Sequence, residues 1–423
     1  MKKNSFKSLT VALSVLLTSL MVCSVTVNAA TPTGKRLKDV QSRVMVGTEF
    51  SSGFTNMDST FFNTATPEFN IVTAENCMKW SDLEPSQNNF TWTEGDRLVN
   101  WAKANNYTVH GHTFVWYNQT PNWVQNLNAN AMEAAMNNHI DKVMAHYKGK
   151  IPIWDVANEC FEDNGTYRNS FWYRVMGKSY IEKAFIRARA ADPSVKLIYN
   201  DYNLEYTGPK SNAAYEMLKD FKSRGIPVDG IGFQMHLDIQ YAIDYNDFAK
   251  NMQRFADLGL EIYITEMDVR VSSNTNSAEL DKQASYYKNI IEKCMAQPAV
   301  KAIQFWGFTD KYSWVPGTFQ GRDNALLFDK NYNPKSAYYA VQAALATTPV
   351  PKVIYGDLDG NGSVDAIDYS LLKQYLLGAI TKFPAENGLT VADVNASGSI
   401  DSLDFVIMKQ YLTGLITKFP AQE

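Results

Sequence analysis

The chain has 423 residues, 45% of them hydrophobic and 20% charged, with a formal net charge of −4. That length exceeds one average domain, and that composition belongs to a globular protein able to bury a large core. No basic block is present, which leaves no electrostatic footprint for nucleic acid.

In chain order, Lys2 and Lys3 come first, then an apolar run from Leu9 to Val27 and the small pair Ala29 and Ala30. A charged start, an apolar centre and a small-residue cleavage site make a secretory signal peptide. Residues 1–30 are therefore expected to be removed on export, leaving a secreted, extracellular chain without a membrane segment. Cys77, Cys160 and Cys294 then remain. Three thiols cannot all pair within one chain, and their spacing matches no metal site, so they are read as buried and free.

Residues 31–346 alternate short apolar or β-branched runs with amphipathic ones. Strands are expected near Val44–Thr48, Phe69–Val72, Thr108–Thr113 and Ile151–Val156. Four more are expected near Lys196–Tyr199, Gly230–Met235, Glu261–Thr265 and Ala302–Trp306. Helical spacing is clear at Asn130–Tyr147, Ser179–Ala191 and Ser277–Met295. Strands alternating with helices imply an α/β fold with a parallel sheet, and eight such units suggest closure into a (β/α)₈ TIM barrel. An open doubly wound sheet competes, but no glycine-rich phosphate loop follows the first strand. Prolines at 349 and 351 mark a linker over 347–353. The remaining residues, 354–423, repeat themselves: Asp357–Asp365 recurs as Asp393–Asp401, and Lys373-Gln374-Tyr375-Leu376 as Lys409-Gln410-Tyr411-Leu412. A duplicated unit of this size predicts a small second domain.

In a TIM barrel, residues just past the C-terminal ends of the strands face the active site. Strand four ends in Trp154-Asp155-Val156-Ala157-Asn158-Glu159 and strand seven in Ile264-Thr265-Glu266-Met267-Asp268. Two carboxyls from opposite sides of one mouth are what glycoside hydrolysis requires, one to protonate the leaving oxygen and one to attack or stabilise the anomeric carbon. Either Glu alone would be read as an ion-pair partner or a cap. Other strand ends carry Glu75, Asn76, Lys79, His110, His112, Trp116, Tyr202, Gln234, His236, Trp306 and Trp314. Amides, imidazoles and indoles suit the hydroxyls and apolar faces of sugar rings. Zinc on His110, His112 and His236 is the weaker reading, because nothing completes the shell.

These residues resemble the endo-β-1,4-xylanases of glycoside hydrolase family 10 from about Arg36 to Leu345. The likeness rests on Glu75-Asn76-x-Met78-Lys79-Trp80, Gly111-His112-Thr113-x-Val115-Trp116, Trp154-Asp155-Val156-x-Asn158-Glu159, Asn200-Asp201-Tyr202-Asn203, Thr265-Glu266-Met267-Asp268-Val269-Arg270 and Trp306-Gly307-x-Thr309-Asp310-Lys311. The resemblance implies a retaining double displacement on xylan and xylo-oligosaccharides, with Glu159 as acid/base and Glu266 as nucleophile. It also implies that Asn158 bonds the sugar 2-hydroxyl, and that His236 and Asp268 support Glu266. Glu75, Asn76 and Lys79 would hold the sugars before the cleavage point, while His112, Trp116, Gln119, Tyr202, Gln234, His236, Trp306 and Trp314 line the groove. No cofactor is implied for catalysis. Tyr117 and Val315 stand where the family more often has histidine and arginine. A glucanase or mannanase on the same barrel, and a sugar-binding module without turnover, remain as alternatives.

The tail resembles a dockerin, a small α-helical domain with two EF-hand-like calcium loops that docks on a cohesin domain of a cellulosome scaffold. Its first loop would use Asp357, Asp359, Asn361, Ser363, Asp365 and Asp368, and its second Asp393, Asn395, Ser397, Ser399, Asp401 and Asp404. Oxygen donors at this spacing, with glycine at the sixth position, suit a hard cation. Two calcium ions are implied, with tighter binding at the first loop, and no helix is expected to enter either loop. Apart from cohesin docking, the protein is expected to be monomeric.

Overall fold

The computed structural model describes residues 30–51, 53–347, 354–385 and 387–422. The expected export signal, apart from Ala30, and the linker, apart from Thr347, lie outside the described residues.

Eight parallel strands close on themselves. They are β1 (Met45–Phe50), β2 (Ile71–Ala74), β3 (Thr108–Val115), β4 (Ile153–Asn158), β5 (Lys196–Asp201), β6 (Gly230–Phe233), β7 (Glu261–Ser272) and β8 (Val300–Phe305). Each pairs with the next, and β8 pairs with β1, so the sheet is a barrel without an edge. Alternation sorts the side chains. Ile71, Ile153, Ile198, Tyr263 and Ala302 form a small buried cluster with Met45 packed against it, while outward residues such as Trp154 and Val156 join the main core. The helix Ala129–Tyr147 shows why the surrounding helices dock: Met132, Met136, His139, Ile140 and Val143 recur at three- and four-residue spacing and are all buried, and Asn128 caps its start.

Most strand ends move by one or two residues from the sequence reading, and two of the differences bear on the site. The sixth is shorter: β6 stops at Phe233, Met235 takes a left-handed φ of 65°, and a separate strand resumes at His236–Asp238. The seventh runs on to Ser272 rather than Thr265, because His236–Asp238 pairs with it in parallel and Arg322–Asp323 in antiparallel. These pairings come from residues distant in sequence, and they carry β7 past the barrel rim.

The tail has its own core, built around Leu358, Leu372, Phe383, Val391, Met408 and Phe419. Helices Ala366–Leu376 and Ser402–Leu412 leave the two loops, each starting at a capping Asp, Asp365 or Asp401. A short helix, Gly388–Ala392, precedes the second loop, where none was expected.

Candidate active site

The fourteen residues that the resemblance assigns to catalysis or substrate binding all line one cleft of about 640 Å³ at the barrel mouth. Asp268 lies behind it, fully buried. Glu75, Asn76 and Lys79 follow β2, with Lys79 Nζ 3.2 Å from Asn76 Oδ1 and 4.7 Å from the centre of the Trp116 ring. Gln119 also donates to Asn76, at 3.0 Å. Burial lowers the pKa of Lys79, against the pull of Glu266, Glu75 and Glu159.

Glu159 and Glu266 hang on one chain of hydrogen bonds. Asn200 Nδ2 donates to Glu266 Oε1 at 2.8 Å and to Asn158 Oδ1 at 3.1 Å. Gln234 Nε2 donates to the same Asn158 oxygen at 3.1 Å and to Glu159 Oε1 at 3.0 Å. Thr265 in turn donates to Asn200 Oδ1 at 2.7 Å, which fixes the orientation of that amide. Gly232 leaves the space: a Cβ there would stand 2.2 Å from Asn200 Oδ1.

The far side of Glu266 is held by His236, whose Nε2 lies 3.1 Å from Oε2 and whose Nδ1 lies 2.9 Å from Asp268 Oδ2. The Trp314 indole donates to the same Asp268 oxygen at 2.8 Å. Burial disfavours the His236 cation, but the charge of Asp268 and hydrogen bonds to Asp268 and Glu266 outweigh it, raising its pKa to about 10. Burial likewise acts to raise Glu266, yet the His236 hydrogen bond and the charges of His112 and His236 leave it lowered. A carboxylate kept ionised in a buried setting is the result.

His110 and His112 do not converge with His236 on a common point. Both bond to Asp155, at 3.0 and 2.8 Å, and Gln304 joins His110 to Thr73. Burial acts against the Asp155 charge, but the two imidazoles hold its pKa down to about 2. Every histidine of the zinc reading is thus taken by a carboxylate.

Among the described residues, the cluster of acidic groups whose ligand atoms lie within 4.8 Å of one another is Asp357, Asp359 and Asp368, in the first tail loop. Gly360 and Gly362 donate backbone N–H groups to Asp357, and Leu358 and Asp359 to Asp368, which fold the carboxylates inward. Asn361, Ser363 and Asp365 occupy the rest of that loop. The second loop is built alike: Ser397 and Gly398 donate to Asp393, Asp401 to Asp404, and Asn395 accepts from Ser397. Oδ1 of Asp404 is buried and has no hydrogen-bond partner. Carboxylate, amide and hydroxyl oxygens gathered in one loop are the donor set that fits a hard cation.

Against this geometry, the family model for glycosyl hydrolase family 10 matches residues 36–344. The chain belongs to that family. A dockerin type I domain follows at residues 355–413. The family 10 part is similar to endo-1,4-beta-xylanase B of Thermotoga neapolitana, 49% identical over 285 residues, 67% of this chain and 82% of that one. It superposes on native xylanase 10B from Thermotoga maritima with a TM-score of 0.72 and 47% identity, covering 73% of this chain and 98% of that chain. Xylanase 10B from Thermotoga petrophila RKU-1, solved in complex with xylobiose, gives 0.72 and 46%, covering 75% and 98%. Among the described residues of this family 10 hydrolase, no helix is long and apolar enough to cross a membrane.

Three supports of the family 10 site were not singled out from the sequence. Asn200, Thr265 and Asp155 stood inside the quoted motifs, but only strand adjacency reveals which side chain each one orients.

Proposed function

We propose that this glycoside hydrolase is a secreted endo-1,4-β-xylanase acting with retention of anomeric configuration and attached to a cellulosome scaffold through its dockerin. The observation that carries the reading is the linked pair Glu159 and Glu266 in one sugar-sized cleft. Ionised Glu266 attacks the anomeric carbon while Glu159 protonates the departing glycosidic oxygen. Esterification removes the negative charge of Glu266, after which Glu159 takes a proton from the incoming water. Asn158, locked by Asn200 and Gln234, offers its amide N–H to the 2-hydroxyl. His236 and Asp268 keep Glu266 ionised and aimed. Two carboxylates suffice for this reaction, and no cofactor is invoked for it.

Xylan is favoured over cellulose or mannan because the relatives are named xylanases, one of them was solved in complex with xylobiose, and Trp306 and Trp314 line the cleft, where they would crowd the hydroxymethyl group of a hexose. In the dockerin, the residues of the two loops would hold two calcium ions, whose charge offsets the clustered carboxylates. Cohesin is the proposed partner of that domain. The division into 1–30 signal, 31–346 hydrolase, 347–353 linker and 354–423 dockerin is proposed with it.

Hydrolysis of a defined xylo-oligosaccharide, followed by proton NMR, tests the reading with Glu266→Ala in parallel. β-Anomer first and an inactive variant are expected. α-Anomer first, or a fully active variant, overturns the carboxylate roles, and turnover of cellulose or mannan in place of xylan moves the substrate.

A further inference from the structure

Glu159 is mounted on an unusual piece of backbone. Its φ is 55°, a left-handed conformation that residues other than glycine rarely adopt and keep only where the surroundings hold them. One restraint comes from β5, whose Asn200 carbonyl accepts the Glu159 N–H at 2.9 Å. The other comes from a hairpin formed by the residues that follow. Phe161 and Tyr167 bridge, the Glu162 N–H donates to Thr166 O at 2.9 Å, and the Arg168 N–H donates to Cys160 O at 2.8 Å. This hairpin returns the Arg168 side chain beneath the acid/base.

The guanidinium is shared among groups that surround Glu159 in the hairpin and the cleft wall. Nε donates to the Glu159 carbonyl at 2.8 Å, and Nη2 donates to Phe161 O at 3.0 Å and to the Tyr202 hydroxyl at 2.8 Å. Nη1 lies 3.2 Å from Glu162. Its carbon sits 4.4 Å from the Tyr117 ring centre and 5.7 Å from that of Tyr202. Both tyrosines line the cleft beside Glu159. We propose that Arg168 is a positioning residue for the acid/base: it clamps the left-handed turn from below and ties it to the two tyrosines, setting where the Glu159 carboxyl points when the leaving oxygen takes its proton. This rests on the reading of Glu159 as acid/base.

A lysine cannot substitute, since a single ammonium offers neither the planar fork nor the stacking face. A merely structural arginine would, on loss, lower the folded fraction and depress every substrate alike. A misaimed acid instead penalises only those leaving groups that need protonation. The test is kcat/KM for Arg168→Lys and Arg168→Met on aryl β-xylobiosides running from dinitrophenol to unsubstituted phenol, with thermal melts and Glu159→Ala alongside. The expected result is a loss of about tenfold or more on phenol with dinitrophenol changed by no more than about threefold, a partial copy of the Glu159→Ala pattern. Equal loss across the series, or no loss in either variant, overturns the proposal. Should Arg168→Met fail to fold, the lysine variant decides alone. If Glu159→Ala itself shows no dependence on leaving group, the acid/base reading fails, which is a separate result.

Discussion

His236 braces Glu266: its Nε2 lies 3.1 Å from the carboxylate Oε2, and its other nitrogen is anchored on Asp268. With a pKa raised to about 10, the imidazole is a cation at neutral pH and donates both N–H groups. His236→Ala removes a charge-assisted donor and leaves Glu266 to the burial that acts to raise it. The acidic limb of kcat/KM, which requires ionised Glu266, then moves to higher pH by about one unit, and activity falls on the order of 10²-fold. Stability carries the opposite signature. A raised histidine contributes fully below its usual 6.5 and loses that contribution as pH rises through about 10. The alkaline decline in melting temperature should therefore be shallower in His236→Ala than in the parent, and pH–rate profiles with parallel melts check both.

The barrel was legible from the sequence because short apolar runs alternate with helical ones, and the same runs put Glu159 and Glu266 near strand ends, where the structure has both lining one cleft. What stayed hidden depends on contacts between distant segments. The extension of β7 to Ser272 exists only because His236–Asp238 and Arg322–Asp323 flank it. The orientation of Asn200 is fixed by Thr265 on another strand. Arg168 sits in a loop whose hairpin leaves no periodic trace. In the tail, both loops were readable from oxygen spacing, whereas the short helix Gly388–Ala392 was not, its five residues being too few for a 3.6-residue pattern to show.

Gly111 lies between the two histidines bound to Asp155, and its lack of a side chain is a packing requirement. A Cβ there would stand 2.2 Å from the ring of Trp154, which is fully buried. Gly111→Ala forces the indole or β3 to shift, at a cost of about 3 kcal/mol. Urea unfolding should show a lower midpoint with an unchanged slope. An unaltered midpoint would mean that the indole has room to move.

Cys77, Cys160 and Cys294 are buried and unpaired. Burial pushes the Cys77 thiol up to about 12 and raises Cys160 and Cys294 as well. Thiolate is the reactive form, so the native mature protein should not react with an aromatic disulfide reagent at neutral pH, while all three thiols react in denaturant. Rapid labelling of Cys160 in the native state would show that the hairpin beside Glu159 opens.

The two loops proposed to hold calcium should differ in strength. The first offers Asp357, Asp359, Asp365 and Asp368, the second Asp393, Asp401 and Asp404, with Asn395 where the first loop has Asp359. Ligand charge count tunes affinity in such loops, and only the first gathers three carboxylates within 4.8 Å among the described residues. Calorimetry on Asp368→Ala should therefore remove the tighter phase, and Asp404→Ala the weaker one, with about tenfold between them. Loop order and helix order are linked, because Asp365 and Asp401 each begin a helix while belonging to a loop. Chelation should thus cost helical circular dichroism from Ala366–Leu376 and Ser402–Leu412 and leave xylan hydrolysis by the barrel intact. The reverse order of affinities would mean that the backbone and hydroxyl donors of the second loop outweigh its missing charge.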